Sequence, residues 1–156
     1  MFREMRRKDK CLLGKEESEK MLEKGSFGIL SVEGDDGYPY GVPVSYSYNN
    51  GKIFFHSATS GHKLDGIARN PKVCFTVVEQ DLVIPKEFTT MFRSVIAFGT
   101  ANILEDKEEC YSAMKGIGEK YSPGFDQEAL DYVNRAWDEF LVIRIDVEHI
   151  TAKVGD

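Results

Sequence analysis

Between Ser57 and Leu64 the chain reads Ser-Ala-Thr-Ser-Gly-His-Lys-Leu, a run dense in hydrogen-bond donors. Hydroxyls at Ser57, Thr59 and Ser60 can donate, Gly61 lets the backbone approach a ligand closely, and Lys63 adds a full positive charge. Leu64, Ile67 and Ala68 follow as the apolar side of a short helix. The first-turn amides of such a helix have no internal partners, and its dipole favours an anion. Together these groups suit one phosphate. The plainer reading is that Ser60 or Thr59 caps the helix and Lys63 is solvated, since such caps are common. Pattern alone leaves both open. The run lacks the spacing of a P-loop, and no GxGxxG follows a strand, so a Rossmann site is not supported.

Other candidate chemistry is weaker. His56, His62 and His149 come without HxxxH, HExxH or paired-cysteine spacing, so no metal site is expected. His56 lies mid-strand among aromatics, where a packed or solvent-facing imidazole is the ordinary reading. No GxSxG elbow is present for a serine nucleophile. Tyr38, Tyr40, Tyr46, Tyr48, Phe54 and Phe55 could wall a planar ring, although sheet packing explains the same periodicity. Trp137 reads as a core or interface anchor.

The elements that must position these residues are mostly strands. Residues 16–24 predict a short helix with Met21 and Leu22 on one face and Gly25 as its C-terminal glycine. Phe27 to Glu33 predicts a strand, followed by the turn Gly34-Asp35-Asp36-Gly37. Val42, Val44, Tyr46 and Tyr48 alternate with small residues, and Asn49-Asn50-Gly51 turns the chain tightly into Lys52 to Ser57. Val73 to Val78, Ser94 to Leu104 and Phe140 to Val147 continue the strand signal. Between the last two, Cys110, Ala113, Met114, Ile117 and Tyr121 form the stripe of an amphipathic helix. Leu130, Val133 and Trp137 suggest another after Pro123-Gly124. The order predicts one α+β domain over residues 1–156, mainly antiparallel β with peripheral helices, about six strands, and closure into a barrel to protect the edges.

Composition narrows the classes. The chain has 156 residues, 42% hydrophobic and 29% charged, enough for one buried core. Net charge is −6 and no long basic stripe breaks the mixture, which argues against nucleic-acid partners. The apolar runs are far shorter than the roughly 20 residues of a membrane helix. Arg3, Arg6, Arg7, Lys8 and Lys10 are diluted by Glu4 and Asp9 and lead into no secretory apolar stretch. Cys11, Cys74 and Cys110 show no CxxC spacing, and a cytoplasmic, reducing setting fits them.

Several ordered segments carry a resemblance. Gly37-Tyr38-Pro39-Tyr40-Gly41-Val42-Pro43-Val44-Ser45-Tyr46, Ile53-Phe54-Phe55-His56-Ser57-Ala58, Gly61-His62-Lys63-Leu64-Asp65 and Asn70-Pro71-Lys72-Val73 belong to the set. So do Phe92-Arg93-Ser94-Val95-Ile96-Ala97-Phe98-Gly99 and Ile143 through Lys153. They resemble the nitroimidazole-resistance branch of the pyridoxamine phosphate oxidase-like flavoproteins, over nearly the whole chain. The resemblance implies a six-stranded FMN-binding split β-barrel and a homodimer with FMN at the subunit interface. It implies a flavin ring lying on Pro43-Val44-Ser45, with His56 near the ring, Ser57, His62 and Lys63 at the phosphate, and Ser94 and Val95 as contacts from a neighbouring strand. Phe92 stands where tyrosine is common in that branch.

The activity so implied is reduction of a small planar acceptor such as a nitroimidazole, with NADH or NADPH as donor. The flavin carries that chemistry, and His56 would donate a proton or orient the acceptor. A flavin carrier without turnover is the alternative from another class, and a haem-binding barrel is the third. Related barrels also use a deazaflavin, whose polyglutamate tail would favour a basic surface that this composition lacks.

Overall fold

The computed structural model describes residues 1–8 and 14–155; Asp9, Lys10 and Cys11 lie outside the described residues. Helix α1 (Lys15–Lys24) buries Met21 and Leu22 against the sheet. The strands are β1 (Gly28–Glu33), β2 (Pro39–Val44), β3 (Ser47–Asn49), β4 (Lys52–Ala58), β5 (Lys72–Ile84), β6 (Thr89–Ile103) and β7 (Phe140–Gly155). Helix α2 (His62–Arg69) joins β4 to β5, while α3 (Lys107–Tyr121) and α4 (Asp126–Arg135) fill the β6-to-β7 connection.

All neighbours in the sheet are antiparallel, in the order β2-β1-β5-β6-β7-β4-β3. The sheet therefore has seven strands rather than the expected six, and its ladder does not close. The extra strand arises where one alternating run was expected from Val42 to Tyr48. Val44 still pairs with Gly28 on β1, but Ser47 pairs with Phe54 on β4, at the other end of the sheet. Only Ser45 and Tyr46 link these edge strands, a span of roughly 10 Å at most. So short a link brings the two edges together and obliges the sheet to curl, leaving a split between β2 and β4. Pro39 and Pro43 on β2 suit an edge, where no donor is missed.

The curled sheet encloses a core of Leu30, Tyr46, Ile53, Phe55, Phe75, Val77, Val95, Ile143 and Ile145, all fully buried or nearly so. A second cluster, Cys110, Ala113, Met114, Ile117, Val133 and Val142, packs α3 and α4 on the outer face of β4 and β7. Asn50 and Gly51 have φ of 48° and 78°, the left-handed pair that a two-residue hairpin needs, as their types predict. Gly25 is different: its φ is −56°, so it is no left-handed cap. A Cβ there would lie 2.3 Å from Val77 Cγ1 and 2.6 Å from the Tyr46 hydroxyl, so glycine is required for space.

Strands β5, β6 and β7 run well beyond their apolar patterns. Val78 and Ser94 were the expected limits of β5 and β6, yet the ladder continues to Ile84 opposite Thr89 as a protruding hairpin. Glu79, Gln80 and Asp81 break the apolar alternation because this arm has no core beneath it. Its apolar side chains are left in water, with Val83 62% and Phe88 98% exposed. β7 was expected to end at Val147; a bulge around Glu148 re-registers it and it continues to Gly155.

Candidate anion and cofactor site

Strand β4 alternates cleanly, sending Ile53, Phe55 and Ser57 inward and leaving Phe54 and His56 on the outer face. Ser57 is buried and donates its hydroxyl to the Ala58 carbonyl at 2.9 Å, which ties down the strand end. The chain then turns through Thr59 and Ser60 into α2, with Gly61 as the N-cap residue. Gly61 has φ 141° and ψ 167°, a conformation open essentially to glycine alone. No side chain caps the helix, so the expectation of a Ser60 or Thr59 cap does not hold. The Gly61 carbonyl accepts from the Leu64 and Asp65 amides at 3.0 and 3.1 Å. The amides of His62 and Lys63 precede those bonds and belong to the unpaired first turn. Nothing lies within 4 Å of where a Gly61 Cβ would be. Open space, free amides and the half-buried Lys63 thus coincide.

Packing fixes the pitch of α2. Leu64 and Ile67 enter the core, and a Cβ on Gly66 would lie 2.5 Å from Val32 Cγ2 and 2.8 Å from the Glu33 carbonyl, so the helix rests directly on β1. His62 stacks on Tyr40 of β2, with ring centroids 3.9 Å apart, and its Nε2 lies 3.7 Å from Asp35 Oδ2. Nε2 has no hydrogen-bond partner. Asp35 also binds Arg69, whose guanidinium reaches the Glu33 and Gly34 carbonyls. Asp35 and Arg69 were not singled out as site residues in the sequence, and Tyr40 stood out only as one of several aromatics that could wall a planar ring. The acidic turn at Asp35 was visible there, but nothing local paired it with a residue 34 positions on.

His56 is on the exposed side of β4, edge-on to Phe140 at 6.1 Å. Loss of water to the surrounding protein, and then the charge of Lys63, hold its pKa below the ordinary imidazole value. His56, near the end of β4, thus feels the charge of Lys63 in the first turn of α2, and both causes favour the neutral imidazole. Pro43, Val44 and Ser45 form the opposite lip of the split: Pro43 and Ser45 are exposed, and Val44 packs partly on the core.

Ser94 and Val95 are elsewhere. His56 pairs with Val142 of β7 and Ser94 with Lys153, eleven positions further along the same strand. At about 3.3 Å per residue that is roughly 36 Å of strand. Ser94 is half-buried on the outer sheet face, whereas the Val95 side chain is fully buried in the core. One chain therefore does not bring Ser94 to His56. The hollow between α3 and α4, about 270 Å³ and lined by Tyr111, Met114, Leu130 and Val133, contains none of these residues. No cluster of metal-ligating side chains occurs among the described residues, and no described helix is long and apolar enough to cross a membrane.

A curled antiparallel sheet, open at a split beside an uncapped, glycine-led helix start, defines a split-barrel class of fold. The chain belongs to the pyridoxamine 5'-phosphate oxidase family, whose model matches residues 14–154. Solved structures agree on the fold. A protein of Bacteroides thetaiotaomicron assigned to 5-nitroimidazole antibiotic resistance superposes with a TM-score of 0.75 at 23% identity, covering 92% of this chain and 86% of that one. A conserved hypothetical protein of Mycobacterium tuberculosis gives 0.82 at 19% identity, covering 96% and 90%. An FAD- and haem-binding protein of Mycobacterium smegmatis gives 0.81 at 16% identity, covering 95% and 74%. No curated protein matches the chain in sequence.

Proposed function

We propose that the protein is an FMN-dependent reductase that acts as a homodimer on a small planar acceptor of the nitroimidazole or nitroaromatic kind, with NADH or NADPH as donor. The observation that carries the reading is the uncapped turn at Gly61–Lys63 beside His56. Its free amides, open approach and lysine charge fit the dianionic phosphate of FMN, and the family supplies the precedent. When bound, flavin supplies the capacity to take two electrons from a nicotinamide and pass them to an acceptor.

The chain's own residues hold and orient. Lys63 and the His62 and Lys63 amides neutralise the phosphate, while the Pro43-Val44-Ser45 lip supports the ring. With its neutral form favoured by burial and by Lys63, His56 suits a hydrogen bond that orients the acceptor better than proton donation from an imidazolium. Ser57 keeps the β4 end in place. Ser94, and Val95 packed beneath it, contribute from a second copy, which is how Ser94 on β6 and His56 on β4, whose β7 partners are eleven positions apart, come to share one site. The exposed apolar arm of β5 and β6 supports that association.

The test is an absorption spectrum of the purified protein before and after boiling, with the released chromophore identified by mass. One FMN per subunit, bleached by NADPH under nitrogen and restored by a nitroimidazole, supports the reductase. Flavin that binds but never bleaches favours a carrier. A colourless protein that refuses FMN and gains a Soret band with haem overturns both. Sedimentation of the same sample reads the dimer directly.

A further inference from the structure

We propose that Tyr121 is a positioning residue for the flavin ring, acting through the backbone at the split; this rests on the flavin reading above. At Ser45–Tyr46 the chain has left the β1 ladder and not yet joined the β4 ladder. No strand neighbour takes the Tyr46 amide, which donates instead to the Tyr121 hydroxyl at 2.9 Å. That hydroxyl in turn donates to the Ser26 carbonyl at 2.6 Å. One phenolic oxygen thus fastens the β2–β3 link, the α1–β1 link and the last turn of α3.

The rest of Tyr46 is already fixed from the core side. Its hydroxyl donates to the Leu22 carbonyl at 2.5 Å, its ring meets Phe75 edge-on at 4.8 Å, and Lys120 Nζ lies 3.8 Å from the ring centroid. With the side chain clamped, the remaining freedom lies in the main chain leading back to Ser45 and Val44. The Tyr121 hydroxyl restrains that main chain. Ser45 and Val44 form one lip of the split opposite β4, so the hydroxyl sets the height of the floor on which the ring lies. The exposed ring of Tyr121 adds little to either core cluster. Its distinctive contribution is the oxygen.

Tyr121→Phe deletes that oxygen and keeps the ring. The expected result is a variant with wild-type far-ultraviolet circular dichroism, in which the Tyr46 amide exchanges about tenfold faster or more. The visible circular dichroism of bound flavin changes, and FMN and riboflavin are weakened by the same factor, about five- to tenfold. Equal loss for both ligands separates the ring floor from the phosphate grip, because Lys63→Ala weakens FMN alone. If Tyr121→Phe does not fold, 3-fluorotyrosine at position 121 keeps the hydroxyl while altering its hydrogen bonding, and must shift the same visible band. Unchanged flavin dichroism and unchanged riboflavin affinity overturn the proposal while leaving the flavin reading intact. A wild-type protein that binds neither ligand overturns the flavin reading, and this proposal with it.

Discussion

Asp35 lies against both ends of α2: one carboxylate oxygen accepts from Arg69 Nη2 at 2.9 Å at the last residue of the helix, and the other is 3.7 Å from the unpartnered His62 Nε2 at the first. The Asp35–Arg69 pair is solvent-exposed, so its charges alone contribute little. Arg69 matters more through the Glu33 and Gly34 carbonyls, at 3.0 and 2.7 Å, which otherwise lack this partner at the end of β1. Arg69→Ala is expected to cost about 1 to 2 kcal/mol in urea unfolding, and Asp35→Asn less. Both should weaken FMN modestly by loosening the helix start. An Arg69→Ala protein as stable as wild type would show that these carbonyls are equally well served by water.

Gly61 is the sharper test of the turn. No neighbour would clash with a methyl group there, so any penalty of Gly61→Ala comes from the backbone at φ 141° rather than from packing. The expected loss is about 1 to 3 kcal/mol, shared between stability and FMN affinity as the turn relaxes to another conformation. Thermal melts with and without FMN measure the two parts. Wild-type values for both would mean that the turn adapts freely and that its conformation is not what recognises phosphate.

Lys63→Ala should leave the fold alone, because the side chain belongs to neither core cluster. FMN binding should weaken by about 1.5 to 3 kcal/mol, the worth of a charge-assisted contact, with riboflavin unaffected. The His56 pKa should also rise toward its ordinary value, since Lys63 is one of the two causes of its depression. An NMR titration of His56 reads that effect without any cofactor. If FMN affinity is unchanged while His56 shifts, the lysine is near the histidine but the phosphate lies elsewhere.

The sequence exposed most of this architecture through local signals. The strand from Lys52 to Ser57, the helical stripe from Cys110 and the left-handed pair Asn50-Gly51 each depend on near neighbours, and each appears in the fold, although Tyr121 at the end of the stripe lies exposed. What stayed hidden depends on distant partners. Tyr46 looks like one more residue of an alternating strand until its amide finds Tyr121, 75 positions away. The β5–β6 arm has no apolar period because it covers no core in one chain. The Gly61 turn was legible as chemistry, but pattern could not tell a hydroxyl cap from open amides. The distance between His56 and Ser94 follows only from strand order, which the linear sequence does not display.

Lys120 provides a prediction with a definite sign. Its Nζ is buried without a hydrogen-bond partner, 3.8 Å above the Tyr46 ring, and burial pushes its pKa down from 10.5 to about 8. Between those values the unfolded chain holds a proton that the folded chain has released, so this group's contribution to stability rises as pH climbs from about 8 to 10.5. Tyr48 acts in the opposite sense above pH 10. Burial, followed by its hydrogen bond to Glu19, raises its pKa to about 12, so folding then opposes an ionisation that the unfolded chain undergoes freely. Tyr46 shifts upward for the same first reason, and the half-buried Cys74 and buried Cys110 thiols, also raised, begin to oppose the gain from about pH 9. The wild-type profile alone therefore mixes signs, whereas its difference from Lys120→Met isolates the lysine. Lys120→Met should be the more stable protein at pH 7, by up to about 3 kcal/mol, and the gap should close by pH 10.5. Urea unfolding of both proteins at pH 7, 9 and 10.5 makes the comparison. A gap that does not change with pH would mean that Lys120 keeps its proton throughout and that the Tyr46 ring stabilises the charge as well as water does.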